Sequence, residues 1–286
     1  MDNTLDLSFN IKKSIRTVST KNLTQNLEIG ADSSLSFMNE NSNSTKPLIA
    51  LEFLYSSKNI LDEIKAEKEA DIIAVKFDIS QDLSDKKFDE IKNFLKELAT
   101  VTEKPLILRG VNNNEIDKKL IPFIAQNAPK ESIIAFADEN TYEQIVPDVA
   151  NNNHILVLRS PIDINLAKEL NILAIDKGMS PDKILIDPDT GGLGYGLDYG
   201  YSIVEKIRLA AFDGDEMLNM PIIVFIGEES YRAKEAKSDT FDKNWGDFKN
   251  RSVMWEISGA VSMISAGANI VVLQNPKSVK VLKGLV

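Results

Sequence analysis

From Pro47 onward the chain repeats one pattern, a short apolar run of strand length followed by a longer stretch with helical spacing. The runs are Leu48–Tyr55, Asp71–Phe77, Pro105–Arg109, Ile133–Ala137, His154–Arg159, Lys183–Asp187, Pro221–Ile226 and Asn269–Leu273. Amphipathic segments such as Ile60–Glu69, Phe88–Ala99, Ile116–Gln126, Ile164–Lys177 and Val253–Ala266 lie between them. Runs that are apolar throughout suit parallel strands covered on both faces, because an exposed face would demand alternation with polar residues. About eight such units predict an α/β fold, a (β/α)8 TIM barrel over residues 47–286. A doubly wound open sheet is the alternative, since closure of a sheet leaves no mark on sequence.

Residues 1–46 read differently, polar and rich in Ser, Thr and Asn. Two alternating stretches, Ser14–Val18 and Asn26–Gly30, predict a short N-terminal β-hairpin extension. The first residues lack a basic start followed by an apolar stretch, so export is not expected and a cytoplasmic protein is. The uncharged run Ile257–Pro276 carries too many Ser, Gly, Asn and Gln residues for a membrane span.

Composition narrows the chemistry. The 286 residues include no cysteine and one histidine, His154. Disulfides, thiolate metal sites, cysteine nucleophiles and an iron–sulfur cluster held by this sequence are thereby excluded. His154 opens its strand, which places it at the barrel end opposite the site and predicts a structural role. A formal charge of −10 argues against nucleic acid or an anionic membrane as partner, since phosphate backbones require a basic footprint.

In a barrel, function belongs at the carboxyl ends of the strands. There stand Tyr55, Asp78, Arg109–Gly110, Asp138–Glu139, Arg159–Ser160, Asp187 to Gly192, Gly227–Glu228–Glu229 and Gln274–Asn275. Asp187 and Glu228 are candidates to divide acid and base roles; the structural alternative pairs such acids with Arg109 and Arg159. Asp187, Asp189 and Glu228 offer oxygens to a Mg²⁺, but their spacing does not enforce one, and neither a metal site nor a catalytic residue is assigned. The longest irregular connection, Gly227–Asn250, holding Trp245, predicts a functional loop or docking surface. Trp245, Trp255, Tyr195, Tyr199, Tyr201 and Tyr231 read equally as packing or as anchors of a protein interface.

The stretch Asp187–Ser202, with five glycines, links a strand to a helix. It is not a Walker loop, because no Lys-Ser or Lys-Thr follows, and Gly192–Gly196 does not fit the dinucleotide fingerprint. A helix starting near Asp198, with that residue as its cap, is expected.

Several of these segments together resemble a known family. Ser160–Lys168, Ile186–Gly196, Gly227–Glu229, Arg232–Ala236, Trp245–Asp247 and Trp255–Glu256 are similar, in the same order, to the small (delta) subunit of the corrinoid iron–sulfur protein. The resemblance implies a TIM barrel that pairs with a large (gamma) subunit, which carries the cluster. It also implies a corrinoid shared between the subunits, taking a methyl group from methyltetrahydrofolate or a methyl-tetrahydropterin and passing it to acetyl-CoA synthase. The methyltransferase and acetyl-CoA synthase would be transient partners, with no membrane and no nucleic acid involved. At the mouth, Arg159, Asp187, Asp189, Thr190, Gly191, Gly192, Glu228, Gln274 and Asn275 are the residues expected to meet the corrinoid. Glu228 departs from an expected Gln, and Gln274–Asn275 from an expected basic or histidine pair. A stand-alone pterin-dependent methyltransferase on the related barrel, using Asp78 or Asp187 on the pterin ring, is the alternative.

Overall fold

The computed structural model describes residues 11–21, 26–33, 45–79, 83–194 and 196–286. A hairpin of β1 (Thr17–Lys21) and β2 (Asn26–Gly30) comes first. Eight parallel strands follow: β3 (Leu48–Leu54), β4 (Ile72–Lys76), β5 (Leu106–Arg109), β6 (Ile133–Ala137), β7 (Ile155–Arg159), β8 (Ile184–Asp187), β9 (Ile223–Val224) and β10 (Ile270–Leu273). They run side by side in the order β8-β7-β6-β5-β4-β3-β10-β9. The two ends of that row meet through the parallel bridge Ile186–Ile222, with the Ile186 N–H donating to the Pro221 carbonyl at 2.9 Å. The sheet therefore closes into a barrel, and the open-sheet alternative fails.

The helices are α1 (Ile60–Ala66), α2 (Asp85–Val101), α3 (Asn114–Asn127), α4 (Tyr142–Asn151), α5 (Ile164–Asp176), α6 (Leu197–Phe212), α7 (Ile226–Ser230), α8 (Lys234–Lys237), α9 (Phe248–Ala266) and α10 (Pro276–Lys283). Several start on side-chain caps: Asn113 accepts from the N–H groups of Glu115 and Ile116, and Asp163 from those of Asn165 and Leu166. Three sequence expectations need correction here. The Gly227–Asn250 connection is not irregular throughout but contains α7, α8 and a 3-10 turn at Lys243–Trp245. Helix α9 begins at Phe248 rather than Val253, because Asp247 accepts from the Asn250 N–H and caps it earlier. Asp198 is not a cap: Gly196, at φ 89°, takes that position and leaves Asp198 in the first turn of α6, where its charge suits the helix dipole.

Strand side chains divide into two sets. Ile49, Leu51, Ile73, Val75, Leu106, Leu108 and their counterparts pack outward under the helices. Ala50, Ile72, Ala74, Ile107, Ile133, Ala135, Ile155, Val157, Leu185, Ile223, Ile270 and Val272 fill the lower barrel interior. The hairpin joins that interior. Val18 and Ile29 face each other across it and are both buried in the interior cluster, closing the amino-terminal end of the barrel. Thr20 Oγ1 donates to the Glu131 carbonyl at 2.9 Å, and the Arg16 N–H to Asn219 Oδ1 at 2.9 Å. The first arm lies three residues later than the sequence suggested, since Ile15 is drawn into a separate cluster with Ala211 and Phe212.

Gly30 is the residue that permits this seating. Its φ is +90°, and a Cβ there would lie 2.2 Å from the Arg16 carbonyl oxygen and 2.9 Å from Pro221 Cγ. Gly30→Ala is expected to lower stability by about 2 kcal/mol through strain and overpacking, read as a lower thermal midpoint with the barrel's circular dichroism retained. An unchanged midpoint would show that the hairpin contributes little to the closed barrel.

His154 lies at this lower end, as expected. Its Nε2–H donates to the Ala125 carbonyl at 2.8 Å, and burial lowers its pKa, so the ring is neutral and structural. Among the described residues no helix is long and apolar enough to cross a membrane.

Candidate functional site

Above the apolar layers, the inward positions of the strands change character. Counting upward by two from the interior residues gives Glu52 on β3, Lys76 on β4, Arg109 on β5, Arg159 on β7 and Asp187 on β8. Phe136 and Phe225 face each other among them, with ring centroids 6.1 Å apart. Phe136 points inward because the β6–β7 register shifts between Ala135 and Ala137. Glu228 from α7 and Gln274 just past β10 complete the layer.

These side chains form a connected network. Arg109 has no exposure; its Nη2 donates to Glu228 Oε2 at 2.7 Å and its Nη1 lies 3.2 Å from Glu52 Oε1. Lys76 Nζ donates to the other Glu228 oxygen at 2.8 Å, and Gln274 Nε2 to Glu52 Oε2 at 3.1 Å. Across the mouth, Arg159 Nε donates to Asp187 Oδ2 at 2.6 Å, while its Nη1 sits 3.5 Å from Asp189. Both guanidiniums lie over aromatic rings, Arg159 at 3.4 Å from the Phe136 centroid and Arg109 at 5.0 Å from that of Phe225. Three cations thus meet four carboxylates, with Arg109, Arg159, Glu52 and Asp187 buried and Lys76, Glu228 and Asp189 partly exposed.

The titration behaviour follows. Burial would discharge Arg109, yet Glu52 and Glu228 outweigh it and keep the guanidinium firmly charged. Burial also opposes ionisation of Glu228, but Arg109 and Lys76 prevail and hold its carboxyl down at about 2. Asp187 is fully buried, which pushes its carboxyl up against the pull of Arg159. Beside the network two acids carry no such support. Burial raises Glu229 to about 7, with Arg232 opposing only in part, and raises Glu256 to about 7 although the Gln274 N–H donates to it at 2.6 Å.

The expected site residues are divided by this arrangement. Arg159, Asp187, Thr190, Gly191 and Gly192 are buried, so they shape the mouth rather than present themselves to it. A Cβ on Gly192 would come 2.9 Å from the Glu229 backbone, which is how the glycine loop lies flush on α7. Asp189, Glu228, Gln274 and Asn275 are partly exposed and form the accessible rim. Asp187 and Glu228 do not meet: each is bound to a different arginine, Arg159 and Arg109. Nor do Asp187, Asp189 and Glu228 form a metal-ligating group; none of three or more such side chains occurs among the described residues.

Four other strand-end residues face elsewhere. Tyr55 stacks on Phe77 at 5.2 Å, under the helices. Asp78 accepts from the Ser56 N–H at 2.9 Å, Asp138 from Thr141 Oγ1 at 2.8 Å, and Glu139 is exposed. Sequence reading overlooked Glu52, Lys76, Phe136 and Phe225. For the first two a signal was present: a charge inside the apolar runs Leu48–Leu54 and Ile72–Lys76, at the inward register. Tyr195 lies outside the described residues; Trp255 Nε1 donates to the Leu193 carbonyl at 2.9 Å and anchors the glycine loop to α9.

Fold and site define the class, a TIM barrel whose upper interior is occupied by an ion-paired network. Solved structures agree on the barrel. Dihydropteroate synthase from Yersinia pestis superposes with a TM-score of 0.60 at 14% identity over 94% of this chain and 97% of that one. The Xanthomonas albilineans enzyme gives 0.61 at 12% identity over 94% and 96%. At such identities the likeness is one of fold. Sequence is more specific: the chain belongs to the CO dehydrogenase/acetyl-CoA synthase delta subunit family, whose model matches residues 43–285. Relatives include acetyl-CoA decarbonylase/synthase complex subunit delta of Methanocaldococcus jannaschii, 30% identical over 75% of this chain and 53% of that protein. Subunit delta 1 of Methanosarcina thermophila is 32% identical over 75% and 51%. The chain spans about half the length of the curated relatives it matches.

Proposed function

We propose that this chain is the small subunit of a corrinoid protein, a cytoplasmic methyl carrier between a methyl-tetrahydropterin or methyltetrahydrofolate and acetyl-CoA synthase. Its barrel mouth serves as scaffold and cover for a corrinoid held jointly with a large subunit, which carries the iron–sulfur cluster. The observation that carries this reading is the network itself: Arg109, Lys76 and Arg159 are engaged with Glu52, Glu228 and Asp187, so these charges serve one another. A flat, polar rim remains, suited to lying against a ligand rather than enclosing one.

The residues fit a corrinoid in the role of cover. A corrinoid presents amide arms around a flat ring, and Asp189, Glu228, Gln274 and Asn275 offer acceptors and donors at the rim. Thr190 Oγ1, buried and without a protein partner, is a further polar atom beside it. No histidine stands at the mouth, so this chain does not contribute an imidazole to cobalt. When bound, the corrinoid supplies the cobalt that accepts and releases the methyl group; the chain contributes orientation, limited water access and a fixed electrostatic surface.

Co-expression with the large subunit tests the proposal. The purified chain alone is expected to be colourless and the complex to show a corrinoid absorption spectrum; a stable corrinoid complex of the isolated chain would remove the shared site. The stand-alone pterin-dependent methyltransferase draws support from the fold of dihydropteroate synthases, one solved with a pterin–sulfa conjugate. Against it, Asp78 is tied to Ser56 and Asp187 to Arg159, so neither acid is free to bond a pterin ring. Binding of methyltetrahydrofolate to the isolated chain, followed by calorimetry, would restore that reading.

A further inference from the structure

The outer wall of the barrel between α6 and α9 does not look like the rest of its surface. Helices on the outside of such a barrel normally turn charges to water. From Met254 to Gly267, α9 and its cap carry one charged residue, Glu256, and it is buried. The outward positions are Met254, Ser258, Val261, Ser262 and Ser265, with Met254 57% and Val261 37% exposed. Tyr199 on α6 is 65% exposed and Trp245 beside α9 is 50% exposed. These are four of the nine large apolar side chains exposed among the described residues, gathered on one wall.

Two hollows make this wall concave. One, of about 440 Å³, is lined by Leu193, Trp245, Met254, Trp255 and Ser258 among others. The second, of about 680 Å³, is lined by Gly194, Gly196, Leu197, one face of α6 and Ser262. Ser258 and Ser262 are one turn apart on α9, and Leu193 adjoins Gly194, so the hollows form one trough crossed by the glycine loop. Along the α6 edge stand Asp198 and Glu205, two turns apart on the same face, and both line the trough. Neither forms an ion pair among the described residues. Asp198 has the helix dipole to account for it; Glu205, in mid-helix, has no such partner.

We propose that this trough docks a protein partner that presents an apolar ridge flanked on one side by basic side chains, which meet Asp198 and Glu205. Apolar anchors entering the hollows supply affinity, and the two carboxylates fix orientation and speed encounter. A second copy of this chain is a poor occupant, because two chains of net charge −10 would bring their own acids to the same edge. The proposal rests on the reading of the chain as a subunit, and locates one contact of that assembly on the barrel wall beside the glycine loop.

The full chain co-expressed with its corrinoid-bearing subunit provides the test, with affinity read by calorimetry or sedimentation. Met254→Glu and Val261→Glu, both at exposed positions, are expected to weaken the complex at least about tenfold. Glu205→Lys is expected to weaken it and to flatten the loss of affinity with added salt; Glu97→Lys, on the outer face of α2, is expected to leave both unchanged. Circular dichroism establishes that each variant is folded. Wild-type affinity in all three trough variants overturns the docking surface while leaving the subunit reading intact. Failure of the unaltered chain to form any complex overturns both, and a dimer of the isolated chain that Val261→Glu dissolves overturns the heterologous partner.

Discussion

Arg109→Ala is expected to destabilise the barrel by about 3–5 kcal/mol, measured as a lower urea midpoint at neutral pH. The side chain is completely buried, and its removal strands Glu52, which is 1% exposed, and leaves Glu228 with Lys76 alone. The cost is that of two carboxylates losing their shared counter-ion in a space too tight for water, together with the loss of stacking above Phe225. Arg109→Lys should recover part of it, since an ammonium supplies the charge but cannot bond both acids in the fork geometry of a guanidinium. Arg109→Met combined with Glu52→Gln should be milder than Arg109→Ala, because fewer charges remain unpaired. A loss under about 1 kcal/mol for the alanine variant would mean that water enters the mouth and that the network is weakly coupled.

Glu256→Gln should change how stability depends on pH. The native carboxyl titrates at about 7, above its ordinary value of 4.5. Between these values the folded protein keeps a proton that the unfolded chain releases, so stability is greatest below 4.5, falls as pH rises toward 7, and levels off beyond. The span corresponds to a loss on the order of 3 kcal/mol. An amide of the same shape still accepts from the Gln274 N–H and brings no charge, so the variant should match the parent near pH 5 and exceed it near pH 8. Glu229 acts in the same direction. Glu228 acts oppositely and in a different window: its native value of about 2 adds stability above 4.5 that is lost as pH falls toward 2. Urea midpoints of both proteins across this range separate the contributions; parallel curves for parent and Glu256→Gln would show Glu256 ionised and solvated.

Much of the barrel is legible in the sequence. A strand buried on both faces must be apolar at every position, so the eight runs declared themselves. β9 shows where this fails: Pro221–Ile226 is as apolar as the others, yet only Ile223–Val224 pair as a strand, because α7 begins at Ile226 and lifts the chain out of the sheet. Caps were less legible: Asp247 starts α9 ahead of the expected Val253, and Asp198, which has the right chemistry for a cap, was displaced by Gly196 adopting the left-handed conformation.

The glycine stretch after β8 is largely an internal fitting. Gly192 lets the loop touch the Glu229 backbone, and Trp255 fastens Leu193 to α9. Its outward role is to divide the trough between α6 and α9.

What the sequence determined alone was the eightfold alternation of strand and helix and the absence of thiol and multi-histidine chemistry, because apolar patterning and composition are local properties. What the tertiary structure decided was which charges meet. Lys76 and Arg109 reach Glu228 across separations of 152 and 119 residues, and no spacing along the chain encodes that contact. Closure of the sheet brings these inward positions to one level, and burial there makes pairing obligatory; Asp187 and Glu228 are held there as counter-ions.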